Sequence, residues 1–560
     1  MRKNRKNIYG RYNWKSVIIN RAYGVTIIYT CIFIALVGRL FYIQNYKKDS
    51  YQVLANKQYY YEENLSNINY TLLDRNNENL LDIEKEYCIV LDPMTFLHMN
   101  EKTDEKDIKK ILYIIKDYNN DYDLYKAAYM DKSKKYTYVV DKKTYEKFKE
   151  SNQVNGIYGY TRDKAIVKKD WKIENLIMSP NLYENGKLKD DDCIERQINE
   201  KIKKNKFSKM IFEKNVDGKI IDEKVENPKE NINVKLTLDR KIENKINEVL
   251  RNDKFKRYSQ IGAIITECDT GKILGMCQKD DKISNVNIGV PSSNGFLVGS
   301  VFKTIVLEAA LDNNVATLND EFEVKNIFPK SNEHKSKYDL SEAYLYSSND
   351  VFAQLGWKIG LDKMTEYSKE QGLLDKVLNL NDERCGKVEK LNDDESVGVT
   401  TNMSIGQSIR TTPIAISTIP IAIVNGGIYV KPYILDSYVD TKLNEIEKSN
   451  TEKKRVIGEE TASLLKKEMQ SVIKSTDATG RNANVEGVNM GGKTGTTEYF
   501  VDGKEYSDGW FVGFFEKNNK YYSLVVFIPE IDIKEDAGGR TSALVFKEIV
   551  QELIKNNNLI

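Results

Sequence analysis

The sequence predicts an α/β protein of the α+β kind: an antiparallel sheet flanked by helices, preceded by an extended α+β pedestal and one N-terminal transmembrane helix. Three observations carry this. An uncharged run, AYGVTIIYTCIFIALVG, lies between Arg21 and Arg39. Two pairs of apolar runs joined by turn residues sit near the two ends of the region after Asn233, and mostly helical apolar spacing fills the interval between them. A sheet made of early and late strands, covered by helices from the middle, accommodates that order. At 560 residues the chain also exceeds what one core usually holds, so two or more folded units are expected.

Residues 1–21 read as a cytoplasmic tail and 22–43 as a membrane anchor. Arg2, Lys3, Arg5, Lys6, Arg11, Lys15 and Arg21 precede the apolar run with no acidic residue among them. Positive charge stays on the cytoplasmic side, so everything after the span is expected outside the cell membrane. At about 1.5 Å per residue the run crosses a hydrocarbon core when Leu40, Phe41, Tyr42 and Ile43 extend it. No small-residue cleavage site follows directly, GRLFYIQNYKK coming instead, which favours a retained single-pass anchor over a cleaved leader.

Residues 44–232 are rich in Lys, Asp, Asn and Tyr, with short apolar runs such as EYCIVLD and YTYVVD that suggest strands among charged helices. This is the expected pedestal, and it holds no catalytic constellation. Its last part, EKNVDGKIIDEKVENPKENIN, is polar, contains Pro228 and reads as a linker. Residues 233–560 form the expected catalytic domain. Within it IGAIITECDTGKILGMCQ is a hairpin signal around Asp269-Thr270-Gly271-Lys272, DGWFVGFFEKNNKYYSLVVFIPE a second one turning at Asn518-Asn519, and SALVFKEIVQELIKN has helical spacing.

Composition excludes some functions. Lys+Arg 85 against Asp+Glu 83 leaves a net charge of +2, which provides no basic face for nucleic acid. The six cysteines stand apart without a C-x-x-C pair, and there are only two histidines, so no metal site and no cofactor is expected. The cysteines read as small core residues; an even number outside the cell leaves a disulfide open, but sequence does not pair them.

The chemistry lies in GFLVGSVFKTIVLEAALDNN, a loop opening into a helix with Ser300 and Lys303 at its entry. Three positions apart on a helix, their side chains share a face. Serine is a poor nucleophile until a base takes its proton, and lysine is such a base only when burial or a second cation lowers its pKa. Lys493, in GGKTGTTE, supplies that cation. Serine at a helix start is ordinarily a cap, and S-x-x-K recurs at Ser471–Lys474, with S-x-N at Ser179–Asn181 and Ser292–Asn294. Order separates signal from decoy. Ser300-x-x-Lys303, then Ser347-Ser348-Asn349, then Lys493-Thr494-Gly495 occur once in that sequence, on a helix entry, between helical patterns and on a strand candidate.

This triple resembles the signature of the penicillin-binding, active-serine D,D-peptidase superfamily. NVKLTLDRKIE, MSIGQSIRTTPIAI and DGWFVGFF resemble further segments of its transpeptidase domain, and TLLDRNNENLL and CIERQINEKI two pedestal motifs of class B high-molecular-weight penicillin-binding proteins. Val298 stands where the family often has proline, and Asn77 where glycine is usual. The resemblance implies a penicillin-binding transpeptidase, β-lactamase-like fold and a two-step acyl transfer. Ser300 attacks the D-Ala-D-Ala bond of a peptidoglycan stem peptide, Lys303 accepts its proton, Ser347 relays a proton to the departing amine, and Lys493 sets the positive potential. Asn349 holds the substrate amide, Thr494 and Thr496 bind the terminal carboxylate, Gly495 leaves space for close approach, and the N–H groups of Ser300 and Thr496 hold the oxyanion. β-Lactams would acylate the same serine.

Within that chemistry a β-lactamase needs a glutamate for deacylation, and no E-x-x-L-N segment lies between Ser347 and Lys493; KVLNLNDE lacks the leading glutamate. A penicillin-sensing receptor is the other alternative, with few residues before the span for an intracellular output. Related pedestals contact a SEDS-family glycan polymerase, which is the membrane partner the resemblance implies. Elongation, division and sporulation roles are not distinguished by these residues.

Overall fold

The computed structural model describes residues 14–47, 59–151, 153–166, 168, 170–178, 189–329, 333–389, 396–532 and 536–555. Most of the expected cytoplasmic tail and the Ser179-Pro180-Asn181 decoy lie outside the described residues. The first element is a 33-residue helix, α1 (Trp14–Tyr46). Its Val17–Asn45 stretch is long and apolar enough to cross a membrane, and its apolar window is wholly exposed. The helix runs past both ends of the apolar run and measures about 50 Å.

The chain divides into two compact units that do not follow it contiguously. The first comprises Met1–Asn67, Lys85–Asp163 and Ser208–Asn227; the second Ile68–Glu84, Lys164–Phe207 and Pro228–Ile560. In the first, Tyr60–Asn64, Lys209–Lys214 and Ile220–Glu226 form one three-stranded antiparallel sheet, and Ile83–Leu91 lies between Tyr136–Val140 and Ile157–Ala165 in another. Ile89, Leu91, Ile111, Ile115, Phe148 and Ile157 make its main core, so EYCIVLD and YTYVVD are strands packed on helices. The expected linker is different in the structure. Most of its first half is a hairpin, Lys209–Lys214 against Ile220–Glu226, turning at Gly218 with φ +75°. The second strand is exposed along nearly its whole length, so it needs no apolar alternation, and its charged sequence reads as linker for that reason.

In chain order the second unit holds α2 (Arg240–Leu250), the hairpin β1 (Gly262–Glu267) and β2 (Ile273–Gln278), then α3 (Lys303–Asp312), α4 (Leu340–Tyr346), α5 (Asn349–Ile359) and α6 (Glu459–Lys474). It ends with β3 (Met490–Val501), β4 (Lys504–Lys517), β5 (Lys520–Ile531) and α7 (Ser542–Lys555). The five strands make one antiparallel sheet in the order β2-β1-β5-β4-β3. Early and late strands therefore meet in its middle, and β3 is an edge. Alternation along β4 divides the core: Trp510, Val512 and Phe514 face a cluster with Phe302, Ile305, Phe352, Leu465 and Val472, while Phe511 and Phe515 face Ile246, Leu250, Phe546 and Ile549. Helices thus cover both faces, which is why β1 and β2 are buried residue by residue. Both expected turns form. Gly271 has φ +77°, and Asn518 and Asn519 have φ +54° and +60°, the conformation that a two-residue hairpin loop demands.

Two motifs that the sequence reading placed in the pedestal belong to this second unit. Leu72-Leu73 pairs in parallel with Val234-Lys235. Buried Asp74 accepts the N–H groups of Asn76 and Glu78 at 2.7 and 2.8 Å and that of Arg240 at 3.3 Å. Asn77 has φ +65°, so asparagine takes there the left-handed conformation that glycine takes more cheaply. In the other motif Glu195, buried, accepts the Asn381 N–H at 3.2 Å and the Lys189 ammonium at 2.8 Å. All six cysteines are unpaired; Cys88, Cys193, Cys268 and Cys277 are buried, Cys31 and Cys385 exposed.

One buried carboxyl gives a stability prediction. Glu308 on α3 is fully buried and receives the Gln371 amide on both oxygens, at 2.5 and 2.6 Å. Burial pushes its pKa from 4.5 to about 8. Below pH 4.5 both folded and unfolded chains hold the proton. As pH rises toward 8 the unfolded chain ionises first, so folding loses about 1.4 kcal/mol per pH unit, or about 3 kcal/mol at pH 7. Glu308→Gln is expected to raise the urea midpoint at pH 7–8 and leave it near wild type at pH 4.5. Equal midpoints at pH 8 would show that Gln371 fully compensates the ionised form.

Candidate active site

Phe296-Leu297, a short strand paired with Arg410-Thr411, leads into one 3-10 turn, Gly299–Phe302, and that turn runs on into α3. Ser300 sits on this turn, partly exposed, and Lys303 begins the α-helix, fully buried. The turn is clamped on several sides. Buried Trp510 of β4 donates its indole N–H to the Leu297 carbonyl at 3.0 Å, and the Gly299 N–H reaches the Gly406 carbonyl at 3.0 Å. Gly299 has φ +59°, and a Cβ there would come within 2.5 Å of the Thr496 carbonyl. Gly406 has φ +78°, and a Cβ there would meet the Gly299 carbonyl at 2.1 Å. Neither position accepts a side chain without moving the serine.

Ser347 supplies the second piece. It caps α4 in the left-handed conformation, φ +61°, rare for a residue with a Cβ and a sign that surrounding contacts hold it. The next residue, Ser348, caps α5 by accepting the Val351 N–H at 3.2 Å, and Asn349 is the first residue of that helix. This tight passage between helices turns the Ser347 carbonyl, its hydroxyl and the Asn349 amide oxygen toward Lys303. The Lys303 Nζ donates to them at 2.6, 3.2 and 2.7 Å.

Lys493 comes from β3, the edge strand, and donates to the same Ser347 Oγ at 2.9 Å. One hydroxyl therefore bridges two buried amines. The rings of Phe352 and Tyr344 lie 5.5 Å from the Lys303 and Lys493 Nζ atoms respectively. Burial lowers the Lys303 pKa well below the usual lysine value, the Lys493 charge lowers it further, and Glu333 opposes both. Burial alone brings Lys493 down to about 7. The sequence reading named burial or a second cation as the means of lowering the Lys303 pKa; both act, and desolvation is the larger.

The remaining expected residues lie on the same strand. Thr494 Oγ1 donates to Thr479 Oγ1 at 3.1 Å, and Thr496 Oγ1 accepts the Gly538 N–H at 3.0 Å. A Cβ at Gly495 would approach the Val298 carbonyl at 2.8 Å, the Val301 side chain at 2.9 Å and Trp510 at 3.1 Å. The space that Gly495 leaves is thus taken by the serine turn itself, which correlates its small size with chain packing. A second difference concerns the expected nucleophile: among the described residues no hydrogen bond joins Ser300 Oγ to Lys303, whose donors are directed at Ser347 and Asn349. Catalytic contacts of this kind tighten when a substrate fills the cleft. Sequence reasoning missed Thr479 and Gly538, and also Asp350, Tyr338 and Glu333 beside Asn349. Of these only Asp350 had a local signal, its adjacency to the S-x-N element. The decoy Ser471 lies within α6, bonded to the Lys467 carbonyl, with Lys474 exposed.

The model of the penicillin binding protein transpeptidase domain matches residues 261–551. Stage V sporulation protein D of Bacillus subtilis is 31% identical over 355 residues, covering 58% of this chain and 54% of the relative. Penicillin-binding protein PbpB of Mycolicibacterium smegmatis is 24% identical over 383 residues, 62% of this chain and 59% of its own. The chain thus spans little more than half the length of these curated relatives. Among solved structures, a peptidoglycan synthetase from Bifidobacterium adolescentis superposes with TM-score 0.62 at 18% identity over 90% of this chain and 97% of that one. Penicillin binding protein 3 of Mycobacterium tuberculosis in complex with aztreonam gives 0.60 at 16%, over 89% and 98%. At such identities the superpositions establish the fold.

Proposed function

The chain belongs to the penicillin-binding protein transpeptidase family, and from that membership we propose that it is a membrane-anchored peptidoglycan D,D-transpeptidase working through a serine acyl-enzyme. The observation that carries the proposal is the meeting of three distant stretches at one hydroxyl: Lys303 and Lys493 both donate to Ser347 Oγ, beside the turn that bears Ser300. Two amines depressed by burial and linked through a hydroxyl make a proton relay with no metal ligand in it.

In this reading Ser300 Oγ attacks the carbonyl of the penultimate D-alanine and Lys303 takes its proton. The tetrahedral oxyanion is held by the N–H groups of Ser300 and Thr496. Ser347 passes a proton to the leaving D-alanine amine, and the acyl-enzyme waits for an acceptor amine. Asn349 holds the substrate amide, Lys493 keeps the local potential positive, and Thr494 and Thr496 bind the terminal carboxylate. β-Lactams acylate the same serine. The basic residues before α1 support a cytoplasmic N-terminus and a cell-membrane location with both units outside. The first unit is the surface we assign to a SEDS-family glycan polymerase, testable by site-specific crosslinking from residues 85–163.

Intact mass after exposure to a labelled penicillin tests the chemistry. One adduct per chain, mapped to the peptide containing Ser300 and stable for minutes, is expected, together with D-alanine release from a D-Ala-D-Ala peptide in the presence of an acceptor amine. An adduct elsewhere sinks the proposed nucleophile. An adduct cleared within seconds makes the protein a β-lactamase.

A further inference from the structure

Behind Ser347 and Asn349 lies a loop whose residues bond to the first turn of α5. Asp350, fully buried, accepts the Lys325 N–H at 2.8 Å and the Ile327 N–H at 2.6 Å, and takes the Gln354 amide at 2.8 Å. Its own N–H donates to Glu333 Oε1 at 3.2 Å. Buried Tyr338 fastens the other limb, its hydroxyl accepting the His334 and Lys335 N–H groups at 2.7 and 3.0 Å. The Glu333 carboxylate, accepting the Asp350 N–H, sits at the N-terminus of α5, where the helix dipole favours negative charge.

The position of this carboxylate matters because of what lies on the other side of the turn. Asn349, next to the Asp350 N–H that Glu333 caps, takes a hydrogen bond from Lys303 Nζ. The charged groups that act on Lys303 are Lys493 from β3 and Glu333 from this loop, with opposite signs. Lys493 disfavours the ammonium; Glu333 favours it.

We propose that Glu333 is a positioning residue of the cleft, holding the first turn of α5 behind Ser347 and Asn349 while serving as the anionic counterweight to Lys493 at Lys303. The inference rests on the acyl-transfer reading above, in which the neutral Lys303 amine takes the serine proton. Capping alone needs only an oxygen, whereas the counterweight needs the charge, and this difference makes the two separable.

The test is the pH profile of acylation by a fluorescent penicillin, measured on the full chain in detergent for wild type, Glu333→Gln and Glu333→Asp. Glutamine keeps an oxygen for the Asp350 N–H but removes the charge. The expected result is an acid limb displaced to lower pH by about one unit in Glu333→Gln, as loss of a nearby opposite charge requires, with Glu333→Asp closer to wild type. An unmoved limb in Glu333→Gln, with Ser300 still acylated, overturns the counterweight and leaves the transferase reading intact. A limb displaced upward overturns it equally. Absence of any adduct on wild type across the pH range removes both.

Discussion

Ser300→Ala will carry no penicillin adduct under conditions that label every wild-type chain, and D-alanine release will fall by a factor on the order of 10⁶, the scale seen when a serine nucleophile is deleted. The expectation follows from the surroundings of the serine. Its turn is fixed by the Trp510–Leu297 and Gly299–Gly406 hydrogen bonds and by two glycines whose missing Cβ atoms let the backbones touch. None of these contacts uses the Ser300 hydroxyl, so alanine leaves the turn, α3 and the Lys303–Ser347–Lys493 bridge in place. Loss of chemistry without loss of fold is the diagnostic pair. An unchanged melting temperature with abolished labelling assigns the nucleophile, and persistent labelling of the alanine variant would falsify it. Ser471→Ala, in the other S-x-x-K match, is expected to label like wild type, because that serine is bonded to its own helix backbone.

Much of the cleft was legible because its chemistry needs residue types that are uninformative alone but restrictive in order. Ser300, Lys303, Ser347, Asn349 and Lys493 could be picked out from decoys by sequence order, since helix entry, interhelical passage and edge strand follow in that order along the chain. The hairpins were legible because φ > 0 at 271, 518 and 519 calls for glycine or asparagine. Long-range pairing was not legible. Leu72-Leu73 lies beside Val234-Lys235 through backbone hydrogen bonds that leave no mark on either sequence, so the compact units cut across the chain where composition suggested a simple boundary. The strand Ile220–Glu226 was unreadable for the opposite reason: exposed nearly throughout, it carries no burial pattern to detect. Glu333 escaped because a single glutamate in a charged chain gains meaning only when its helix partner is known.

Lys303→Arg provides the second large effect, an expected loss of roughly 10²–10⁴ in acylation rate, the range attributed to a positioned general base. Arginine keeps a cation and several N–H donors for Ser347 and Asn349, but a guanidinium does not give up its proton in this pH range. The variant therefore separates positive potential from basicity. In wild type the amine is fully buried and its pKa lies well below the usual lysine value, so the fraction able to accept the serine proton grows as pH rises through a range lower than that of an exposed lysine. Acylation should climb with pH over that range, and Lys303→Arg should stay low across it. Lys493→Met acts on the same limb from outside. Removing the like charge eases protonation of Lys303 and moves the limb to higher pH, opposite in sign to the displacement expected for Glu333→Gln. The same burial has a cost in stability. Lys493, at about 7, binds its proton less readily folded than unfolded, so its contribution to stability falls as pH drops from 10.5 toward 7 and is flat below. Stopped-flow acylation of the three lysine forms between pH 5 and 9 checks the argument: if Lys303→Arg retains wild-type rates, proton transfer at Lys303 is not part of the reaction, and if Lys493→Met lowers the limb, the two amines are not coupled through Ser347 in the way their shared hydrogen bonds require.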